Sequence, residues 1–183
     1  MKTLQSDNDP VVLVLVGIMC WLSIIGCVLI IFSYVKWKEL RTRARLLLVF
    51  LSIADFFTAT GNFFGLMFLS EEGNFCLIQS VVTTTSSLVS FFWTVFVAWY
   101  LFLSLPGRVP TSKNMVFFHT CAWGIPCVVV GIALGFNVLG YNPELWCWVA
   151  ADAEHYLAWY FFSFFLFFSI LVFYFIYFLI YLK

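Results

Sequence analysis

Apolar residues in this chain fall into five long blocks separated by short polar clusters. The blocks cover about residues 11–34, 46–69, 76–105, 115–139 and 156–182. A bilayer core about 30 Å thick is crossed by roughly 20 helical residues, so each block is long enough to span it. The pattern therefore predicts an all-α, polytopic transmembrane helix bundle forming one domain over residues 1–183. The first block has an acidic lead (Asp7, Asp9) and about twenty-four apolar residues. A cleaved secretory signal has a basic lead and a core of roughly 7–15 residues, so a retained helix is expected instead. Its glycines, Gly17 and Gly26, permit close helix approach but are not spaced as a dimerisation motif.

The third block differs from its neighbours. It opens on Cys76, carries no formal charge, and holds the polar run Thr83-Thr84-Thr85-Ser86-Ser87 with Ser90 one turn on. Hydroxyl side chains in hydrocarbon favour the bundle interior, where they bond to other helices or to their own backbone. This block is expected at the centre. The second block holds one acid, Asp55. Inside the fourth lies Trp123-Gly124-Ile125-Pro126, where Pro126 predicts a kink because its ring removes a backbone bond. The fifth, dominated by Phe and Tyr, reads as a surface facing lipid.

Composition agrees. Of the residues 64% are hydrophobic and only 10% charged, with mean hydropathy +1.04, where soluble domains run near 25% charged. The formal net charge is zero, which argues against a nucleic-acid partner. The zero hides a sorted distribution. Of nine Lys and Arg, five lie in the first loop (Lys36, Lys38, Arg41, Arg43, Arg45), Arg108 and Lys113 lie in the third, and Lys183 ends the chain. Only Lys2 falls on the opposite side, together with seven of the nine acids: Asp7, Asp9, Glu71, Glu72, Glu144, Asp152 and Glu154. Basic loops remain on the cytoplasmic face, so the amino terminus is expected outside and Lys183 inside.

In that topology Cys76 and Cys147 both face an oxidising compartment, where a disulfide persists. The two are expected to bridge; free thiols are the alternative. Cys20, Cys27, Cys121 and Cys127 fall within helices one and four and read as small packing residues. No Asn-x-Ser/Thr acceptor is present to report sidedness. His119 and His155 lie near opposite ends of the spans, too far apart to share a metal. There is no His/Cys/acid cluster, no Gly-x-Ser-x-Gly and no phosphate loop, so neither an enzyme, a metal nor a cofactor is expected.

Leu51-Ser52-Ile53-Ala54-Asp55, Ser90-Phe91-Phe92-Trp93-Thr94, Trp123-Gly124-Ile125-Pro126 and Trp146-Cys147-Trp148 follow one another at the places they occupy in a known fold. Together with Cys76 they resemble the seven-helix G-protein-coupled receptors. The likeness is to the orphan branch similar to both secretin-like and slime-mould cyclic-AMP receptors. It extends over helices one to five. Two departures stand out: Leu103-Ser104-Leu105-Pro106 replaces the usual Asp/Glu-Arg-Tyr triplet, and ten leading residues supply no hormone-binding ectodomain. Five helices of a seven-helix plan give the further expectation of a fragment or truncated product.

The resemblance implies an extracellular ligand and a heterotrimeric G protein as partners, beside the lipid bilayer. A charge at mid-membrane costs at least about 2.5 kcal/mol on insertion scales, so Asp55 should face the interior and find a partner. It is either a polar hub that shifts between signalling states or an interior acid bonded to Ser or Thr of helix three. Thr84 and Ser87 either face a ligand or glue helices together. Trp146 and Trp148 either touch a ligand or sit at the membrane interface, where Trp is enriched. Arg41, Arg43, Arg45, Arg108 and Lys113 either meet the G protein, meet anionic headgroups, or only set topology. The rival readings are a five-helix transporter half and a truncated regulatory membrane protein that does not signal.

Overall fold

The structure, a computed structural model, describes residues 10–67, 74–104, 112–140 and 147–149. The fifth predicted helix, Arg108 and Trp146 lie outside the described residues, as does the Lys113 side chain. The described chain forms four long helices: α1 (Pro10–Lys36), α2 (Arg43–Met67), α3 (Asn74–Ser104) and α4 (Ser112–Gly135). All four are long and apolar enough to cross a membrane. A single 3-10 turn (Lys38–Leu40) links α1 to α2. Two short strands, β1 (Leu139–Gly140) and β2 (Trp148–Val149), pair antiparallel with Leu139 opposite Val149.

Large apolar side chains cover the outside. Val11, Val14, Met19, Leu22 and Leu29 of α1 and Val116, Val128 and Ile132 of α4 are more than half exposed. Such a surface is suited to contact with hydrocarbon, and it lies on helices long and apolar enough to span a bilayer. The interior holds many small or hydroxyl-bearing side chains, such as Ser52, Ala54, Ala59, Ser80, Thr83 and Ser86, beside an aromatic cluster that includes Trp93, Phe96 and Phe118. Helix α3 packs against α2 on one side, α4 on another and the strand pair near its first turns, so it is central, as expected. Helix α1 packs on α2 through Trp21 against Phe63, with ring centroids 5.2 Å apart. Cys20 and Cys27 are buried packing residues as read from the sequence, whereas Cys127 faces outward.

The α2–α3 seam is antiparallel, and it steps by one helical turn on each side. Ser90 bonds to Asp55; Thr58 lies 3.0 Å from Ser86; Gly61 meets Thr83; Gly65 meets Gln79. Gly61 and Gly65 make a Gly-x-x-x-Gly ridge, the arrangement that lets membrane helices approach closely. A methyl group on Gly61 would sit 2.5 Å from Thr83 Cγ2, and one on Gly65 would sit 2.0 Å from Gln79 Nε2. The two contacts differ in kind. Gln79 can swing its amide away, but Thr83 is β-branched and its hydroxyl is bonded to the Gln79 carbonyl at 2.9 Å.

An aromatic joint closes the other half of the seam. Trp93 is fully buried, stacked on Phe50 (5.1 Å) and edge-on to His119 (4.8 Å), so one side chain touches α2, α3 and α4. Phe96 stacks on Phe118 at 4.6 Å. On α4 the buried positions Phe118, Ala122, Pro126 and Val130 recur every fourth residue, a single stripe against the bundle. Pro126 lies within this stripe, in a helix assigned without interruption from Ser112 to Gly135.

Both ends of the α1–α2 connection are capped. The Arg41 guanidinium donates from Nη2 to the Val35 carbonyl at 2.6 Å, satisfying a free carbonyl of the last turn of α1. Thr42 Oγ1 accepts from Arg45 N at 3.3 Å, which caps α2. The apolar run through residue 139 suggested a longer fourth helix, but α4 ends at Gly135. Asn137 takes the left-handed conformation (φ 53), and Asn137 N and Val138 N return to the carbonyls of Leu134 and Ala133 at 3.1 and 2.9 Å. This is the Schellman arrangement, with Asn as the left-handed residue. It turns the chain into β1.

Gly61→Ala should lower stability by about 1–3 kcal/mol, the usual cost of overpacking. Adding Thr83→Ser, which removes the clashing methyl and keeps the hydroxyl, should restore most of the loss. Unfolding in mixed SDS micelles reads both. An unchanged loss in the double variant would mean that the two residues do not meet.

Candidate functional site

Two polar features are built on this frame, one at mid-membrane and one at the end where α3 begins. Asp55 occupies the midpoint of α2, roughly 18 Å from either helix end at 1.5 Å per residue. Its Oδ1 accepts the hydroxyl proton of Ser90, so the acid faces the interior and is partnered by α3. This matches the interior-acid reading in geometry; a switching role is a separate matter. The Thr58 hydroxyl, 3.0 Å from Ser86 Oγ and 3.1 Å from the Ala54 carbonyl, has one proton for either acceptor. Ser86 in turn donates to the Val82 carbonyl at 2.6 Å. Thr83 and Ser86 of the Thr/Ser block are therefore interhelical packing residues that bond to their own backbone.

Thr84 is the exception. Its side chain is buried and its Oγ1 has no hydrogen-bond partner. It borders a cavity of about 300 Å³ whose other walls are α4 residues such as Val130 and Ala133, and the strand pair with Leu139, Trp148 and Val149. Thr84 and Trp148, both singled out from the sequence, thus come together. Ser87 does not: its side chain is exposed and it does not line the cavity.

The strand pair is held over α3 by a disulfide. Cys76, in the first turn of α3, is bonded to Cys147, with Cα atoms 5.1 Å apart and a sequence separation of 71. Both cysteines are buried. The bridge fixes β2 against the start of α3, and β2 supplies Trp148 and Val149 to the cavity. The sequence contained the cysteines but gave no sign of the strands. The Leu-Gly and Trp-Val pairs are two residues each, too short to show alternation.

At the opposite end, Arg41 is engaged with α1 carbonyls, while Arg43 and Arg45 are exposed in the first turn of α2. Arg41 is therefore primarily a cap. Among the described residues no group of His, Cys, Asp or Glu is placed to hold a metal.

Comparison with known proteins places this architecture. Residues 1–181 match the family described as slime mold cyclic AMP receptor. The chain belongs to that family. A human protein named G-protein coupled receptor 157 is 35% identical over 149 residues, which is 76% of this chain and 44% of that protein. Latrophilin receptor-like protein A of Dictyostelium discoideum is 28% identical over 67% of the chain and 40% of its own length. Cyclic AMP receptor-like protein C of the same organism is 26% identical over 64% of the chain and 37% of its own. The chain thus spans less than half the length of these relatives. Within this receptor family the chain is a multi-pass membrane protein, an all-α bundle with the half-buried Asp55–Ser90 pair and the bridge at the head of α3. The carrier reading gains nothing, because Pro126 leaves α4 intact and no helix break opens toward the midplane among the described residues.

Removing the bridge should cost about 2–5 kcal/mol, the usual value for a native disulfide. Cys76→Ser, Cys147→Ser and the double variant should be equally destabilised in thermal unfolding, since each deletes the same bond. A double variant worse by the sum of the singles would contradict this.

Proposed function

We propose that this chain is the membrane portion of a G-protein-coupled receptor in the plasma membrane. Its amino terminus and the Cys76–Cys147 end face outside, and the Arg43–Arg45 end faces a heterotrimeric G protein. The observation that carries the reading is the disulfide that ties β2 to the head of α3, in a chain matched to a receptor family from residue 1 to 181. A bond of this kind persists in an oxidising compartment, so it supports placing that end outside. The basic residues at the other end agree with the cytoplasmic side.

In this reading a ligand meets the face formed by Thr84 and Trp148; Trp146, two residues before Trp148, lies outside the described residues. Movement at the head of α3 is passed along the α2–α3 seam, where Asp55–Ser90 is the polar contact that two helix arrangements would satisfy differently. Arg43 and Arg45, with Arg108 and Lys113, offer the basic surface for the G protein. The nucleotide in the family's description is not carried over to this chain. Among the described residues no cationic side chain lines the cavity to meet a phosphate.

Two measurements on one set of cells test this. An amino-terminal epitope tag should be labelled on intact cells, and a tag inserted between Lys38 and Arg41 only after permeabilisation. With surface expression confirmed, ligand-independent dissociation of a Gα–Gβγ energy-transfer sensor should exceed the vector control for at least one Gα class. Arg43→Ala with Arg45→Ala should return it to control. Correct tag topology with no dissociation for any Gα class would overturn coupling; a labelled Lys38–Arg41 tag on intact cells would overturn the orientation.

A further inference from the structure

The corner where α1 ends carries cations and aromatic rings that the receptor reading leaves unused. Helix α1 has 27 residues, about 40 Å at 1.5 Å per residue, against a hydrocarbon core of about 30 Å. Its last turn therefore reaches the headgroup layer. There Lys36 Nζ lies 5.2 Å from the centre of the Phe32 ring and 5.5 Å from that of Trp37, and the two rings meet edge to face at 6.4 Å. Phe32 and Trp37 are 52 and 48% exposed. Phe32 continues a stripe of exposed apolar side chains, Ile25, Val28 and Leu29, at helical spacing along α1. The Lys36 ammonium is thus held over a ring on the outer surface of the bundle, at the depth of lipid headgroups. A base that only sets topology needs no such seat.

Charge at this corner is one-sided. Lys36 and Lys38 are exposed, and Glu39 is the one acid in the turn. Arg41 donates to the Val35 carbonyl at 2.6 Å, so a cation covers the negative end of α1 that would otherwise repel an anion. The other bases on that side of the predicted topology are joined by no further Asp or Glu: none occurs from residue 73 to 143 or from 155 to 183. Helix α1 packs mainly on α2, and residues 105–111 are tied at both ends to α3 and α4.

We propose that the Lys36–Trp37–Lys38 corner binds an anionic phospholipid, its headgroup paired with the two lysines and its acyl chains lying along Phe32, Leu29 and Ile25. Trp37 sits at the interfacial depth where indole rings are enriched and gives the glycerol region a flat wall. A net-negative headgroup gains the full attraction of the lysines, whereas a zwitterionic one brings its own cation and gains less. The inference rests on the membrane reading; it needs neither coupling to a G protein nor a decision on which end is cytoplasmic.

Binding can be read directly. The full chain would be placed in phosphatidylcholine nanodiscs carrying a trace of either phosphatidylserine or phosphatidylcholine with a photoactivatable acyl chain. Both leaflets then have the same composition, so orientation does not enter. After irradiation, labelling of residues 25–38 is measured by mass spectrometry relative to labelling of the exposed face of α4. That ratio should be roughly five- to thirtyfold higher for the serine lipid, the worth of one to two lysines at an anionic surface. Lys36→Gln with Lys38→Gln should bring it down to the choline value, whereas Arg43→Gln with Arg45→Gln should leave most of it. Glycerophosphoserine, the same headgroup without chains, should not compete. An intact Cys76–Cys147 bond on non-reducing gels controls for folding in each variant. Equal ratios for the two probes, a preference that survives loss of both lysines, or one abolished as fully by the arginine pair would overturn the site. Competition by glycerophosphoserine would overturn a lipid as its occupant.

Discussion

A carboxyl group at the middle of a membrane helix has to find a partner inside the protein, and here the partner is the Ser90 hydroxyl. The register of α2 against α3 follows from that requirement. With Asp55 opposite Ser90, the next turns bring Thr58 to Ser86, Gly61 to Thr83 and Gly65 to Gln79. A slip by one residue would turn Asp55 toward lipid and put a side chain where Gly61 now admits Thr83. Individual hydrogen bonds between membrane helices are modest, on average about 0.6 kcal/mol. What makes the register unique is that the polar contact and the glycine contacts are satisfied together or not at all.

Everything that bears on function is positioned from α3. Its start is bonded to β2 through Cys76, its middle is bonded to α2 through Ser90, and its later turns pack through Trp93 and Phe96 against α2 and α4. A helix held at its head and along its length moves as a unit. In the proposed receptor reading such a helix would link the cavity end to the basic end, where Arg43 and Arg45 are exposed while Arg41 secures the turn.

Much of this arrangement was legible in the sequence, because hydrocarbon imposes simple rules. Apolar blocks of helix-spanning length gave α1 to α4, the hydroxyl block gave a central α3, and charge sorting singled out Cys76 and Cys147 as partners. An acid among apolar residues gave an interior Asp55 bonded to α3. What the sequence alone does not show is local or pairwise. The Gly61-x-x-x-Gly65 ridge was present in the sequence, but its meaning depends on Thr83 and Gln79 lying opposite. Gly17 and Gly26 of α1 meet almost nothing by contrast. The early end of α4 depends on one residue, Asn137, adopting a left-handed conformation within an apolar run. The separation of Thr84 from Ser87, three residues apart, follows from helical phase set by tertiary packing. The guanidinium of Arg41 capping α1 likewise depends on the turn that brings the chain back.

The most direct test of the account is a double-mutant cycle between Asp55 and Ser90, using Asp55→Ala, Ser90→Ala and the pair, with unfolding followed in mixed SDS micelles. If the seam is organised by their bond, the two changes should couple by about 0.6–1.7 kcal/mol, the range for interhelical hydrogen bonds in bilayers. Strictly additive losses would show that the two side chains do not meet, and the register of α2 on α3 described here would be wrong.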